Sequence, residues 1–237
     1  VTIQFSHSFL TQVCQPYLAS GKFAWHFAKG KLSRDPVFAG LLLRGYFSDH
    51  ARVLDIGCGQ GLLAALLCPD HGAHWPSPLP PQPKDVRYLG IDLMLSDVQR
   101  GQKALSFLQG RVELRQGDMC TTAFPASDVV VILDVLHYVN EVAQEDVLTR
   151  VRDCLAPGGR LLLRIGDAQG GWPFRFSNWV DQVVTRIRGH KNGRLYCRSL
   201  TQWQALLQSL GFTVQTLAMN QGTPFANILL VCESPRP

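Results

Sequence analysis

The chain has 237 residues, 46% of them apolar and 17% charged, with a mean hydropathy of +0.03 and a formal net charge of +5. This composition excludes a disordered chain, and no apolar run approaches the ~20 residues that a bilayer span requires. The first residues, VTIQFSHSFL, show no basic stretch ahead of an apolar core, so the sequence reads as a non-secreted, cytoplasmic protein. Lys and Arg are spread along the chain without a recognition motif or basic arm, and no nucleic-acid partner is expected. The cysteines, Cys14, Cys58, Cys68, Cys120, Cys154, Cys197 and Cys232, are odd in number and form no CxxC pair, which suits thiols in a reducing compartment. Cys68, His71 and His74 lie close together, but no fourth ligand at metal spacing follows, so no metal is expected.

In chain order, residues 1–47 read as an N-terminal helical cap carrying Trp25, His26, Lys29, Lys31, Arg34 and the Asp35-Pro36 pair. RVLDI (52–56) is a short apolar strand that runs into glycines, and the Leu/Ala-rich 62–67 is helical. The segment 69–84 has prolines at 69, 76, 78, 80, 81 and 83, which cannot join a helix or inner strand. It reads as an extended surface insertion that deletion would leave tolerable. RYLGI (87–91) is a strand, 96–109 a helix, 112–114 a strand, and VVVIL (129–133) a strongly apolar strand. The helix expected over 145–155 stops at Ala156-Pro157-Gly158-Gly159, and RLLLRI (160–165) is a further buried strand. After a segment 166–198 that reads as a lid come a helix over 200–210 and strands over 212–218 and 227–232, joined by a Gly-Pro turn. Continuous apolar strands alternating with helices predict a doubly wound α/β fold, its parallel sheet covered on both faces, over 48–237.

The main chemical signal is Val53-Leu54-Asp55-Ile56-Gly57-Cys58-Gly59-Gln60-Gly61, an apolar strand entering alternating glycines and then a helix. Glycines let the backbone turn sharply and approach a ligand, and the helix start offers free N–H groups. Dinucleotide sites use similar turns, and a tight turn without a ligand would also fit. Asp55 separates the readings, because a carboxylate there repels a pyrophosphate and suits a ligand that bears an ammonium group. Asp92 ends the second strand, where a carboxylate can accept hydrogen bonds from two ribose hydroxyls or cap the next helix. Asp118, in Gly117-Asp118-Met119, follows the third strand and could equally be a turn residue. Asp134 ends VVVIL and opens Asp134-Val135-Leu136-His137-Tyr138.

With these motifs the sequence resembles the class I S-adenosylmethionine-dependent methyltransferases over roughly 48–233, including the turn 155–160. The resemblance implies a mostly parallel seven-stranded sheet closed by an antiparallel C-terminal hairpin, with S-adenosyl-L-methionine as cofactor. It implies that Asp55, Gly57, Cys58, Gly59 and Gly61 surround the methionine end. Asp92 and Leu93 would hold the ribose, Asp118 and Met119 the adenine, and Asp134 the floor beneath the sulfonium. His137 and Tyr138 are the catalytic candidates, although His137 suits equally packing against the cofactor or capping the following helix, and His26 and Tyr17 are further candidate bases. A cofactor-binding protein without methyl transfer, or one with other sulfonium chemistry, and a nicotinamide-dependent oxidoreductase are the rival functions.

The acceptor is expected to be governed by 166–198. That segment combines Trp172, Phe174, Phe176 and Trp179 with Arg175, Arg186, Arg188, Lys191, Arg194 and Arg198, and Trp179, Val180, Val183, Val184 and Ile187 share one helical face. Such a face is ordinarily core. Beside a basic rim it would also suit a small apolar or aromatic acceptor with an acidic group, free or on an acidic carrier, and a lipid surface is the rival partner.

Overall fold

The structure is a computed structural model, and it describes residues 5–69, 75–166, 195–219 and 227–235. Among these, seven strands form one sheet: β1 (Arg52–Ile56), β2 (Arg87–Asp92), β3 (Val112–Gln116), β4 (Ser127–Leu133), β5 (Leu155–Gly166), β6 (Thr213–Ala218) and β7 (Asn227–Glu233). Their order is β3-β2-β1-β4-β5-β7-β6. The first five pair in parallel, while β7 runs antiparallel to both β5 and β6, as the resemblance implies.

Strand residues alternate between two cores, and both are apolar. Val53, Val129, Val131 and Leu162 face α1 (His7–Cys14), α2 (Lys22–Arg34), α3 (Pro36–Leu43), α4 (Leu62–Leu67) and α5 (Leu95–Ala104). Leu54, Ile56, Val130, Ile132, Leu161 and Leu163 face α6 (Glu141–Cys154) and α7 (Leu200–Ser209), where Val147, Leu148, Trp203 and Leu207 meet them. This two-sided burial explains why the strands read as unbroken apolar runs. The order reverses between β1 and β4, so a crevice opens beyond the carboxyl ends of those two strands, where open α/β sheets place ligands.

Some boundaries differ from the sequence expectation for local reasons. The helix expected to reach 109 ends at Ala104; Leu105 and Leu108 turn into the core, and Gly110 (φ 84°) leads into β3. The helix expected from 145 starts at Glu141, because the Asn140 side chain accepts from the Ala143 N–H at 2.9 Å.

Residues 75–84, the described part of the Pro-rich insertion, are packed rather than loose. Trp75 donates from Nε1 to the Pro80 carbonyl (2.7 Å), lies edge-on to Phe9 (6.2 Å) and, with Leu79, rests on the first core. Asp49 accepts from the Lys84 N–H and the Lys84 carbonyl from the His50 N–H, each at 2.8 Å, which stitches its end to the loop before β1. Most of the expected lid (167–194), the Gly-Pro turn, and His71 and His74 lie outside the described residues. Arg198 is described, and it is no rim charge. It is buried, donating to Gln144 Oε1 (2.8 Å), the Glu141 carbonyl (3.1 Å) and Glu145 Oε1 (2.7 Å) on α6.

Candidate functional site

The glycine turn follows β1 directly. At Gly57 (φ 82°) an added Cβ would lie 2.4 Å from Val135 Cγ1, so the side chain of the segment after β4 occupies that place. Gly59 (φ 54°) differs, since its Cβ position has nothing within 4 Å. The turn is therefore packed from below at one glycine and open at the other. Gly61 (φ 72°) caps the start of α4, and the buried Tyr17 hydroxyl donates to the Gln60 carbonyl at 3.0 Å, fixing the turn from the N-terminal region.

Two adjoining cavities share Gly57. The first, about 140 Å3, is lined by Gly57, Ile91, Asp92, Leu93, Met94, Asp97, Gly117, Met119, Val135 and Tyr138, among others. The second, about 120 Å3, is lined by Phe27, Lys31, Phe38, Asp55, Gly57, Cys58, Gly59, Gln60, Leu133, Asp134 and Arg164, among others. The structure thus brings most of the candidate residues to one crevice: Asp55, Gly57, Cys58, Gly59, Asp92, Leu93, Met119, Asp134 and Tyr138. Gly61, Asp118 and His137 line neither cavity. Asp118 instead accepts from the Cys120 N–H at 2.9 Å within its own turn. His26 and Tyr17 line neither cavity, which leaves Tyr138 as the proposed base that does.

Electrostatics distinguish the carboxylates. Burial pushes Asp55 up to about 7; the Tyr88 hydroxyl, which donates a short hydrogen bond to Asp55 Oδ2, opposes that shift, and the Asp92 charge adds to it. Asp92 is also raised by burial, although the N–H groups of Met94 and Gly59, each at 2.8 Å, stabilise its charged form. Each Asp92 oxygen keeps a lone pair for a further donor. His137 packs on Tyr138 (ring centroids 4.3 Å), and burial lowers it to about 4, so it is neutral and weakly basic at pH 7.

A buried ion network crosses the second cavity. Arg164, 2% exposed, donates from Nε to Asp134 Oδ1 (2.9 Å) and from Nη2 to Asp35 Oδ2 (2.8 Å), with further bonds to both carboxylates. Lys31 Nζ reaches Asp35 Oδ2 at 2.8 Å. Burial alone would raise Asp35, but the hydrogen bonds and charge of Arg164, together with Lys31, hold it well below the usual carboxylate range. Asp134 has a left-handed backbone (φ 59°), a conformation that Asp tolerates better than most side chains.

Several residues that shape this crevice were not singled out from sequence. Arg164 had a signal, as the cation enclosed by apolar residues in the LLLRI run of β5. Tyr88 had none, because a Tyr in a strand is ordinary. Arg150 on α6 donates to the carbonyls of Met119 and Thr122 (2.9 Å for the latter), and so pins the turn that presents Met119. Gln144, fully buried, donates from Nε2 to the carbonyls of Leu136 (3.1 Å), Val139 (3.0 Å) and Tyr196 (2.8 Å), which holds the His137–Tyr138 turn.

Residues 54–161 match the protein-family model described as a methyltransferase domain. The chain is 26% identical over 180 residues to the tetracenomycin polyketide synthesis 8-O-methyl transferase TcmO of Streptomyces glaucescens, covering 73% of this chain and 48% of that protein. It is 25% identical over 192 residues to a carboxy-S-adenosyl-L-methionine synthase of Aeromonas hydrophila, covering 75% and 73%. The chain therefore spans about half the length of the polyketide enzyme and most of the synthase. Among solved structures, the S-adenosylmethionine-dependent methyltransferase SibL superposes with a TM-score of 0.60 at 22% identity, over 91% of this chain and 57% of that one, a likeness of fold.

Proposed function

We propose that this chain, whose residues 54–161 match a methyltransferase domain, is a class I S-adenosylmethionine-dependent methyltransferase that transfers a methyl group from S-adenosyl-L-methionine to a small, largely apolar acceptor with an acidic group, free or held on a carrier. The observation that carries this reading is the crevice itself. Two carboxylates, Asp55 and Asp92, flank a glycine turn that is open over Gly59, at the point where the strand order reverses.

The residues fit the cofactor. Asp55, Gly57, Cys58, Gly59 and Asp134 offer a close-approach surface for the methionine end, with Asp55 the carboxyl group to meet its ammonium. Asp92 keeps acceptor capacity for ribose hydroxyls beside Leu93, and Met119 supplies an apolar wall for adenine. When bound, the cofactor would supply an activated methyl group for direct displacement by the acceptor nucleophile. The protein's own task is alignment and exclusion of water. Phe27, Phe38 and Leu133 give the second cavity an apolar wall, and Lys31, paired with Asp35 yet 40% exposed, is the more accessible of its two cations for an acidic group. Tyr138, on the first cavity, is the candidate to take the acceptor's proton.

The synthase relative favours a second reading, in which the same cofactor serves other sulfonium chemistry. A nicotinamide cofactor is disfavoured, since the buried Asp55 beside the turn would face its pyrophosphate. No helix among the described residues is long and apolar enough to cross a membrane. The test is labelled-methyl transfer to a panel of phenolic and aromatic carboxylic acids, with calorimetry against S-adenosylmethionine and NADH. Labelled product and S-adenosylhomocysteine are expected. Cofactor turnover that alters the sulfonium compound itself would select the second reading, and binding of NADH alone would reject both.

A further inference from the structure

We infer that Arg164 is a positioning residue that joins the cofactor floor to the acceptor-side wall, so that binding in the crevice orders the N-terminal cap. On the floor side its guanidinium grips Asp134, whose left-handed backbone sends Val135 against Gly57. On the wall side it grips Asp35, which closes α2 through Lys31 and caps α3 by accepting from the Val37 N–H at 3.1 Å. Phe27 and Lys31 on α2 and Phe38 on α3 are the wall. One planar fork, 2% exposed, thus meets two carboxylates that lie 129 and 30 positions before it in sequence.

The physical reason is donor geometry. A guanidinium offers N–H groups in fixed directions and can hold two carboxylates at once, whereas an ammonium is a point charge that cannot fix both orientations. Whatever orders Asp134 and Val135 therefore also orders Asp35, and with it the α2–α3 corner. Coupling of this kind is reciprocal: a cap held by an acceptor would tighten the cofactor site by the same factor.

This inference rests on the reading of the crevice as the cofactor site, and the experiment separates the two. Amide hydrogen exchange is measured with and without S-adenosylhomocysteine in the natural protein, in Arg164→Lys and in Asp35→Asn. Asp35→Asn keeps the helix cap, since Asn caps as well as Asp, and leaves the Asp134–Arg164 pair intact, so it should fold even if Arg164→Lys does not. In the natural protein the ligand should slow exchange at 57–61 and also across 22–43. In the folded variants protection at 57–61 should persist, while ligand-induced protection across 22–43 falls at least threefold. A merely structural role would lower the melting temperature and leave the ligand-induced pattern unchanged, and that result overturns the inference. Absence of protection at 57–61 in the natural protein would remove the cofactor-site reading and this inference together.

Discussion

At the scale of single residues, the crevice is governed by which carboxylates are ionised. Asp55 stands at about 7 because burial outweighs the Tyr88 hydrogen bond. A raised acid pKa means that the folded protein binds a proton which the unfolded chain releases near pH 4. This contribution to stability is present below that value and is lost as pH rises through about 7. An arriving ammonium reverses the preference and draws the proton off. Cofactor affinity should therefore rise up to ~10-fold per unit between pH 5 and 7, with proton release visible by calorimetry in two buffers. Asp55→Asn should flatten that dependence; a dependence that survives it would assign the titration elsewhere. Asp92→Ala should weaken S-adenosylmethionine binding by ~10- to 150-fold, because charge-assisted hydrogen bonds of ~1.5–3 kcal/mol are lost. Unchanged affinity would remove Asp92 from the site. Gly59→Val should also impair binding, both by placing a branched Cβ in the open space and by straining a φ of 54°.

At the scale of elements, what matters is how strands and helices hold the loops that line the crevice. Gln144 serves three carbonyls and also accepts from Arg198, so α6 is tied to the His137–Tyr138 turn and to the chain that re-enters at Tyr196. Gln144→Leu removes those bonds inside the protein and should cost about 2–4 kcal/mol in urea unfolding, as more than one buried group loses its partner. A loss under about 1 kcal/mol would show that these groups find other partners. The Pro-rich insertion belongs to this scale too. Its composition suggested a dispensable loop, but Trp75 and Leu79 cover the first core. Trp75→Ala should destabilise by about 1–3 kcal/mol, discounted from a full core value because the ring is only partly buried. Removal of 75–84 should be at least as costly, and a neutral result in thermal unfolding would restore the simpler view of the segment.

At the scale of the whole molecule, the crevice, the cap and the two cores are parts of one folded unit, so ligand binding and global stability are linked. S-adenosylhomocysteine at about 100 times its Kd should stabilise the fold by ~2.7 kcal/mol, read as a rise in melting temperature, while NADH should produce none. A shift with NADH and none with S-adenosylhomocysteine would overturn the cofactor assignment. The amino-acid sequence by itself determined the strand sequence, the parallel sheet and the glycine turn. These are local: apolar runs, a strand running into alternating glycines, and acids at strand ends appear as consecutive residues. It also brought forward most residues that line the crevice, because in this fold strand ends converge wherever the order reverses. The tertiary structure alone decided the rest. Arg164 meets Asp35 across 129 positions of sequence, and Tyr88 meets Asp55 across 33, so no window of sequence holds either pair. The packed insertion was hidden for the same reason, as Trp75 gains its place only once Phe9 has been carried beside it. Arg198, counted in sequence as one charge of a basic rim, became a buried clamp because α6 presents Gln144 and Glu145 to it. Period and composition record how a segment relates to water, whereas which buried donor meets which distant acceptor is fixed only when the layers close.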